Sequence, residues 1–331
     1  MRGPSLAFLA ALAFLPGVHN ASAADGFDLV VLGGLGGIQD GNLSSFLIHP
    51  HDDDRAVTCD AGTLVNGLRV ADEKGAFANL TVPTELALSR VGYVLTAKIK
   101  GYLISHAHLD HVAGLVIASP DDSAKPIYAL PSVAADLVET YFNWQAWPNF
   151  TDRGKPPQLK KYTIEHLKPG AAMPLKDTAM TVTAFPLSHG GAQSTAFLIE
   201  SNGDAVLCLG DTGPDAVEGG SHLSSVWAAA AERVRQKRLK AIVIESSFTS
   251  DRPDTLLFGH LTPRWVLGEL RALDRLAGGN VLTGLPVVIS HIKYSLKTEQ
   301  PQEQMRQELE AGNNLAVRFV IPEQGSRWHF K

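Results

Sequence analysis

The segment Ser105-His106-Ala107-His108-Leu109-Asp110-His111 restricts the fold of this chain more than any other part of its sequence. Three imidazoles and a carboxylate within six residues are typical of a metal-binding cluster. An apolar run before it predicts a buried strand, and the pattern after it predicts a helix. In an extended segment residues two apart point the same way, so His106 and His108 can bind one ion, while Asp110 and His111 can face a second. The segment therefore predicts a metal site at a strand-to-helix turn, where Gly114 would let the backbone lie close to its neighbours.

Two ions need more ligands, and the ends of other apolar runs supply candidates. His189 follows one such run, Asp211 follows a second and His291 follows a third. Residues at the ends of strands gather at one edge of a sheet, where sites are commonly built. Each of these three residues alone could be an ordinary turn residue, but together with the cluster they form a consistent ligand set.

The rest of the chain alternates short apolar runs, turn signals and longer helical patterns. The predicted strands are Phe27–Gly33, Ser45–His49, Ala56–Asp60, Gly101–Ser105, Pro126–Leu130, Met180–Leu187, Thr195–Glu200, Ala205–Leu209, Ala241–Glu245, Pro286–Ser290 and Val317–Ile321. The predicted helices are Asp110–Ala118, Ser132–Trp147, Leu223–Lys237, Pro263–Leu276 (with Thr262 as N-cap) and Pro301–Glu310. This order predicts an α/β fold with two sheets face to face and helices outside, in one domain over residues 24–331.

The composition speaks against a nucleic-acid polymer as partner. The formal charge is −5, from 29 basic and 34 acidic residues, and no basic run stands out. Binding a phosphate backbone needs clustered Lys and Arg. A dinucleotide site at the glycines of residues 33–37 is also disfavoured, because Gln39 stands where the third glycine of the fingerprint is needed.

The N-terminus has the pattern of a cleavable signal peptide over residues 1–23. Arg2 gives a positive start, Leu6–Leu15 is a short apolar run, and Ala21-Ser22-Ala23 supplies a small-residue cleavage site. A buried N-terminal helix is the alternative. No later stretch is apolar enough to span a membrane. We therefore expect a periplasmic or secreted protein that does not associate with a membrane.

Two cysteines, Cys59 and Cys208, do not make a disulfide framework. Each lies in an apolar run shortly before an acidic residue, Asp60 or Asp211, and two small buried core residues are the simplest interpretation. A single disulfide in an oxidising compartment stays open.

The pattern H-x-H-x-D-H followed by distant His, Asp and His resembles the metallo-β-lactamase superfamily. The longer run from His106 to Pro120 resembles, position by position, the signature of class II 3′,5′-cyclic-nucleotide phosphodiesterases. Supporting pieces are Asn42–Leu47, Cys59–Thr63, Gly210–Gly213, Glu245–Phe248 and Phe258–Pro263. The resemblance covers nearly the whole chain after the N-terminal segment, and no ligand position departs from it.

The resemblance implies a four-layer αββα sandwich and hydrolysis of cAMP or cGMP to nucleoside 5′-monophosphates. It implies one metal held by His106, His108 and His189, a second held by Asp110, His111 and His291, and Asp211 bridging the two. Asp60 would then orient the ligands rather than bind metal. The His and carboxylate donors suit two zinc ions, although Mn²⁺ and Fe²⁺ stay open. Two such ions about 3.5–4 Å apart can share a hydroxide nucleophile and stabilise the entering and leaving oxygens.

The leaving 3′ oxygen needs a proton, and His260 is the candidate general acid, with Glu245 orienting it. Related phosphodiesterases of the superfamily use a similar pair. A role for His260 in positioning the phosphate is the alternative. Asp110 counts with His260 and Glu245 among the catalytic residues as well as among the ligands.

The aromatic segment Tyr141–Phe150 and the His49–Asp54 loop have weaker interpretations. The aromatic rings could stack on a purine, but packing in the core or in a homodimer is the simpler interpretation. The His49–Asp54 loop resembles a metal site, yet a solvated acidic loop fits it better.

Two other classes of function stay open at this stage. The first is another hydrolase on the same scaffold, such as a β-lactamase, a thioesterase or an RNA-processing nuclease. The second is an extracellular binding protein with structural metals, although structural zinc sites are closed and usually single.

Overall fold

The computed structural model describes residues 26–331, so the predicted signal peptide at residues 1–23 lies outside the described residues. The strands are β1 (Phe27–Gly33), β2 (Leu35–Gly36), β3 (Ser45–Pro50), β4 (Ala56–Cys59), β5 (Ile99–Leu103), β6 (Lys125–Ala129), β7 (Tyr162–His166), β8 (Ala172–Pro174), β9 (Thr181–His189), β10 (Ala192–Ser201), β11 (Asp204–Leu209), β12 (Leu239–Glu245), β13 (Pro286–Ser290), β14 (Ile292–Lys293), β15 (Arg318–Val320) and β16 (Arg327–Phe330).

The helices are α1 (Val65–Glu73), α2 (Arg90–Tyr93), α3 (Leu109–Ala118), α4 (Pro131–Thr140), α5 (Asp215–Glu218), α6 (His222–Arg235), α7 (Pro263–Ala277) and α8 (Pro301–Ala311). Short 3₁₀ turns lie at Thr84–Leu86 and Asp254–Leu256, and a π-helical turn follows α2 at Val94–Lys98. Within residues 26–331 none of these helices combines the length and the apolar character needed to cross a bilayer.

Two seven-stranded sheets carry the fold. The first has the order β16-β1-β3-β4-β5-β6-β7, and the second has the order β15-β13-β12-β11-β10-β9-β8. Strands β2 and β14 form a separate two-stranded parallel pair. In both large sheets the central strands run parallel, from β4 to β6 in the first and from β11 to β13 in the second.

The alternation of side chains along each strand explains the layers. On β11, Val206 and Cys208 belong to the core cluster shared with the first sheet, whereas Leu207 and Leu209 belong to a second cluster. The second cluster adds the apolar faces of α6, α7 and α8, and the first adds those of α1, α3 and α4. The order is therefore helices, sheet, sheet, helices.

A disulfide between Cys59 and Cys208 joins the two sheets. Cys59 ends β4, Cys208 lies on β11, and their Cα atoms are 6.7 Å apart. Both residues are buried in the shared core. The two cysteines are therefore paired, a possibility that the sequence left open. The disulfide lies next to Asp60, at the edge where the candidate site is built.

All the predicted strands are present, with ends shifted by a few residues, but one predicted helix is too long. The helix predicted over Ser132–Trp147 ends at Thr140. The Asn143 amide donates to the carbonyl oxygens of Glu139 and Thr140, and its Oδ1 accepts from the backbone of the two residues after Trp144. Asparagine competes with helical hydrogen bonds in this way, so the aromatic segment continues as turns.

Helix α7 begins where the sequence predicts but without the expected side-chain cap. Thr262 occupies the N-cap position, yet its hydroxyl makes no capping hydrogen bond. Pro263 is the first helical residue, and the N–H that it lacks is one that an α-helix leaves unpaired at its N-terminus. Proline is therefore the effective start signal for this helix.

Candidate metal centre

The candidate metal centre lies at the carboxyl ends of the parallel strands of both sheets. Asp60 follows β4, and the cluster from His106 to His111 follows β5. From the second sheet, Asp211 follows β11 and His291 follows β13. The parallel direction of these strands explains why residues far apart in sequence meet at one edge.

His106, His108 and His189 form the first group of side chains that could bind a metal ion. One ring nitrogen from each lies within 4.8 Å of the others. Nδ1 of His108 is 3.2 Å from Nε2 of His189. The Nδ1–H of His189 donates to the carbonyl oxygen of Gly259 at 2.8 Å, which leaves its Nε2 facing the group. A ring held through one nitrogen is oriented to bind metal through the other.

Asp110, His111 and His291 form the second group, again with ligand atoms within 4.8 Å of one another. Oδ2 of Asp110 lies 3.1 Å from Nε2 of His291 and accepts the backbone N–H of Gly37 at 2.8 Å. The Gly37 contact ties the loop before β3 to the carboxylate. The second group therefore depends on the first sheet, the second sheet and this loop.

Asp211 lies between the two groups. Its Oδ2 is 3.0 Å from Nε2 of His291, 3.3 Å from Nε2 of His111, 3.8 Å from Nε2 of His189 and 4.0 Å from Nε2 of His106. One carboxylate oxygen thus faces nitrogens of both groups. A bridging carboxylate between two ions needs such a position.

Asp60 supports the ligands from behind. Its Oδ2 is 2.7 Å from Nδ1 of His111 and accepts the hydroxyl of Ser105 at 2.8 Å, while its Oδ1 accepts the Ser105 N–H. The Ser105 hydroxyl oxygen is in turn 3.0 Å from Nδ1 of His106. One buried carboxylate therefore fixes a histidine from each group, in the orienting role that the resemblance implies.

Glu245 and His260 form a pair beside Asp211. Oε1 of Glu245 is 2.9 Å from Nδ1 of His260, which lies 3.7 Å from Oδ2 of Asp211. Thr212 and Leu261 donate their backbone N–H groups to Glu245. Both members of the pair are buried.

Ser247 connects this pair to the second group, and sequence reasoning did not single it out. Its hydroxyl donates to Oε2 of Glu245 at 2.7 Å and lies 2.9 Å from Nδ1 of His291. The only signal was its place in the run from Glu245 to Phe248, because a serine hydroxyl has no distinguishing pattern of its own.

The electrostatics of the centre favour cations. Nε2 of His106 and Nε2 of His111 are buried and have no hydrogen-bond partner among the described residues, so each has a free lone pair or proton aimed at the cluster. Burial lowers the pKa of His106 well below its ordinary value, which keeps the ring neutral, the form that binds metal. Burial would also lower the pKa of His111, but Asp211 and Asp60 raise it well above its ordinary value.

Despite burial, the neighbouring histidines lower the pKa values of the two carboxylates, Asp211 and Asp110. Burial raises the pKa of Asp211, but His291 and His111 hold it well below its ordinary value. Burial likewise opposes ionisation of Asp110, and a hydrogen bond with His291 lowers its pKa. Both carboxylates are therefore ionised at neutral pH. Five imidazoles and two ionised carboxylates, with buried nitrogens lacking partners, fit two divalent ions that prefer nitrogen and oxygen donors.

Two glycines allow the close approaches that the centre needs. Gly114 of α3 donates its N–H to the carbonyl of Gly62 at 3.0 Å, and a Cβ on Gly114 would be 2.6 Å from the backbone nitrogen of Leu64. On β2, a Cβ on Gly36 would overlap the His291 ring. The role predicted for Gly114 therefore agrees with the packing, and that of Gly36 could not be seen in the sequence.

Most aromatic side chains of the segment Tyr141–Phe150 are buried or hydrogen-bonded to other residues. Phe142 is fully buried in the core, and Trp147 donates its indole N–H to the Ser119 hydroxyl. The Tyr141 hydroxyl donates to the carbonyl oxygen of Ala107. Trp144 is 40% exposed, but its indole N–H donates to the Pro157 carbonyl.

The loop His49–Asp54 stands apart from the seven-residue cluster. Nδ1 of His51 and Nδ1 of His329 both lie near the buried carboxylate of Asp28, at 3.1 and 2.9 Å. Arg327 already pairs with that carboxylate at 2.6 Å. The loop is therefore partly anchored to β1 rather than wholly solvated.

Comparisons with known proteins agree on the family. The family model described as cAMP phosphodiesterases class-II matches residues 27–325. A 3′,5′-cyclic-nucleotide phosphodiesterase of Aliivibrio fischeri is 51% identical over 95% of this chain and 96% of its own length. A probable 3′,5′-cyclic-nucleotide phosphodiesterase of Yersinia pestis is 44% identical over 92% of this chain and 90% of its own length.

Solved structures agree on the fold. The crystal structure of unliganded yeast PDE1 superimposes with a TM-score of 0.78 at 25% identity, covering 93% of this chain and all of that one. The metallo-β-lactamase fold protein YhfI of Bacillus subtilis gives a TM-score of 0.58 at 17% identity, covering 92% of this chain and 99% of its own. The predicted αββα sandwich is therefore confirmed.

Proposed function

The chain belongs to the class-II cAMP phosphodiesterase family, and on that premise we propose that it hydrolyses the 3′ phosphoester bond of 3′,5′-cyclic nucleotides with two divalent metal ions. The substrates are cAMP or cGMP, and the products are nucleoside 5′-monophosphates. The single observation that carries the proposal is the position of Asp211 Oδ2 between two groups of three metal-binding side chains.

The proposed ligands follow the two groups. His106, His108 and His189 would hold one ion, Asp110, His111 and His291 the other, and Asp211 would contact both. The unpartnered buried Nε2 atoms of His106 and His111 support this assignment. When bound, two divalent ions supply a hydroxide nucleophile at neutral pH and neutralise charge that builds on the phosphoryl oxygens. The nitrogen-rich donor set favours zinc.

The protein's own part in the chemistry is to deliver a proton to the leaving oxygen. Hydrolysis breaks the bond between phosphorus and the ribose O3′, so O3′ must gain a proton. Burial lowers the pKa of His260, but Glu245 and Asp211 raise it above its ordinary value, which favours the protonated ring. Because Nδ1 of His260 is held by Glu245, Nε2 is the nitrogen left to donate to O3′.

Asp110 has two roles in this proposal. It contributes an oxygen to the second group, and through the Gly37 N–H it fixes the loop that borders the substrate side of the centre. Its ionised state, maintained by His291 against burial, keeps it an acceptor throughout the reaction. Asp110 therefore contributes both to metal binding and to the position of the loop at the substrate site.

Product analysis tests the proposal. The purified protein is incubated with cAMP and with cGMP, with and without a chelator, and compared with Asp211→Ala and with Asp52→Ala, which alters an exposed carboxylate remote from the centre. We expect release of 5′-monophosphate by the wild type and by Asp52→Ala, and its loss with the chelator and in Asp211→Ala. A folded protein with both ions bound that hydrolyses neither nucleotide would refute the substrate assignment.

We propose that the protein is exported across a membrane. The signal-peptide pattern at residues 1–23 and the buried disulfide between Cys59 and Cys208 support it, because disulfides persist in oxidising compartments. Expression of the full chain in a bacterium should give a periplasmic protein whose N-terminus begins at Ala24. A cytosolic protein that retains Met1 would contradict it.

A further inference from the structure

We infer that the nucleoside part of the substrate lies in a cavity on the Asp110 side of the metal centre, with its base against Ile38 and Ile117. This inference rests on the proposed function and names the surface that binds the nucleoside. It locates a base-binding site that the ligand set alone does not define.

The cavity has the size and lining of a small-molecule site. Its volume is about 660 Å³, and Asp110 forms part of its wall, so it is continuous with the second group of ligands. Ligand sites of this kind commonly enclose about 300–1,000 Å³ and are mostly apolar with a few polar groups. A nucleoside attached to a phosphate at the metal centre can therefore occupy it.

Three exposed apolar side chains form the apolar wall of the cavity. Ile38, Leu109 and Ile117 are 61%, 60% and 68% exposed, and all three line the cavity. Ile38 belongs to the loop whose Gly37 N–H binds Asp110, and the other two lie on α3. Exposed apolar side chains that converge on one concave surface mark a ligand site. The faces of a purine or pyrimidine ring suit such a wall.

The charged and polar groups at the cavity indicate which end would bind the phosphate and which the base. Lys293 lies at its wall, with Nζ 3.8 Å from the position of a Cβ on Gly37, the residue whose N–H binds Asp110. A cation there complements a phosphate bound between the metal centre and His260. Asp40 lines the same cavity, and its carboxylate can accept hydrogen bonds from the edge of a base.

The aromatic segment Tyr141–Phe150 is the alternative place for the base. Phe142 of this segment is committed to the core, the Tyr141 hydroxyl to the Ala107 carbonyl and the Trp147 indole to the Ser119 hydroxyl. Trp144 is the candidate platform there, because it is 40% exposed although its indole N–H donates to the Pro157 carbonyl. The two sites make opposite predictions for variants.

The test compares a substrate that has a base with one that has none. The metal-loaded full chain is assayed with cAMP and with 1-deoxyribose 3,5-cyclic phosphate, and its binding of AMP and of ribose 5-phosphate is measured by calorimetry. The variants are Ile117→Asn, Ile38→Ser and Trp144→Ala, with Leu276→Asn as control, because Leu276 is an exposed apolar residue at the end of α7.

We expect Ile117→Asn and Ile38→Ser each to raise KM for cAMP about tenfold, as expected for the loss of one apolar contact. Hydrolysis of the base-free substrate and kcat for cAMP should stay near the wild-type values. The same variants should weaken AMP binding without changing ribose 5-phosphate binding. Lys293→Met should instead weaken both phosphates alike.

Equal KM values for Ile117→Asn, Ile38→Ser and Leu276→Asn, or a rise confined to Trp144→Ala, would overturn the inference. Failure of the proposed function looks different: the wild type would then hydrolyse neither cyclic nucleotide. In that case the calorimetry still decides the cavity, since base-dependent binding of AMP either is or is not lost in Ile117→Asn.

Discussion

Oδ2 of Asp60 lies 2.7 Å from Nδ1 of His111 and 2.8 Å from the hydroxyl of Ser105, which contacts His106. A carboxylate that is not itself placed among the ligands thus determines the orientation of one histidine in each group. Asp60 has a positive φ of 55°, a conformation that aspartate and asparagine adopt more readily than most residues. Its backbone turns the chain out of β4 so that the side chain faces the centre.

Asp60→Asn should weaken metal binding without unfolding the protein. Asparagine keeps the size and tolerates the positive φ, but it removes the negative charge behind His111. Loss of such a supporting carboxylate typically lowers metal affinity about 10–100-fold. Metal titration followed by elemental analysis would measure the change, with Asp52→Asn as the matched control. Unchanged affinity in Asp60→Asn would show that the contact only packs the core.

Gly36→Ala should displace His291. A Cβ at Gly36 would overlap the imidazole, so the ring must move away from Asp110 and Asp211. We expect the variant to retain the ion of the first group and to lose most of the second, as measured by metal content per chain. Gly268→Ala is the control, because Gly268 lies in α7 and a Cβ added there would have its nearest neighbour, Trp265, 4.0 Å away. Full metal content in Gly36→Ala would contradict this account.

The sequence predicted which residues meet at the candidate centre, because their position follows from simple rules. Asp211 and His291 each close a buried strand, and parallel strands bring such residues to one edge. The supporting contacts could not be predicted in this way. Ser247 and Gly36 act through distances to the His291 ring, and no local pattern encodes a distance to a residue far along the chain.

The secondary structure predicted from the sequence differs from the observed one where local features give a weak or misleading signal. Strand β7 was missed because it lies at a sheet edge with three of its five residues exposed, so it lacks an apolar run. Helix α1 was missed because it buries only Gly67, Leu68 and Ala71. Apolar patterns report burial, and elements that bury little leave a weak signal. Asn143 ended α4 early through hydrogen bonds that composition does not reveal.

Removal of the disulfide should lower stability more than activity. Cys59 and Cys208 close a loop with a sequence separation of 149 residues, and a native disulfide typically contributes about 2–5 kcal/mol. Cys59→Ser, Cys208→Ser and the double variant should therefore lose similar amounts of free energy of unfolding in denaturant titrations. Reduced wild-type protein serves as the comparison. Equal stability of oxidised wild type and double variant would show that the cross-link contributes nothing.

His260→Gln should separate proton donation from metal binding. Nε2 of His260 is the proposed donor to O3′, and loss of a general acid typically lowers kcat about 10²–10⁴-fold. A diester with a p-nitrophenyl leaving group needs no proton, so its hydrolysis should fall far less. Metal content should stay at the wild-type level. An equal loss with both substrates would indicate that His260 positions the phosphate instead, the alternative that the sequence left open.

Glu245→Gln should shift the pH dependence of kcat for cAMP to lower pH. Burial lowers the pKa of His260, and Glu245, at 2.9 Å from Nδ1, raises it. A general acid acts only while protonated, so activity falls as pH rises through its pKa. Without the negative charge the pKa of His260 drops, and the alkaline limb of the profile must therefore move to lower pH.

The matched control is Glu165→Gln, which changes an exposed carboxylate on β7 remote from the centre. The profile is measured with cAMP and with the p-nitrophenyl diester, which should lack the shift because its leaving group needs no acid. A shift of equal size with both substrates would mean that Glu245 acts on the metal ligands through Ser247 and His291 rather than on the proton donor.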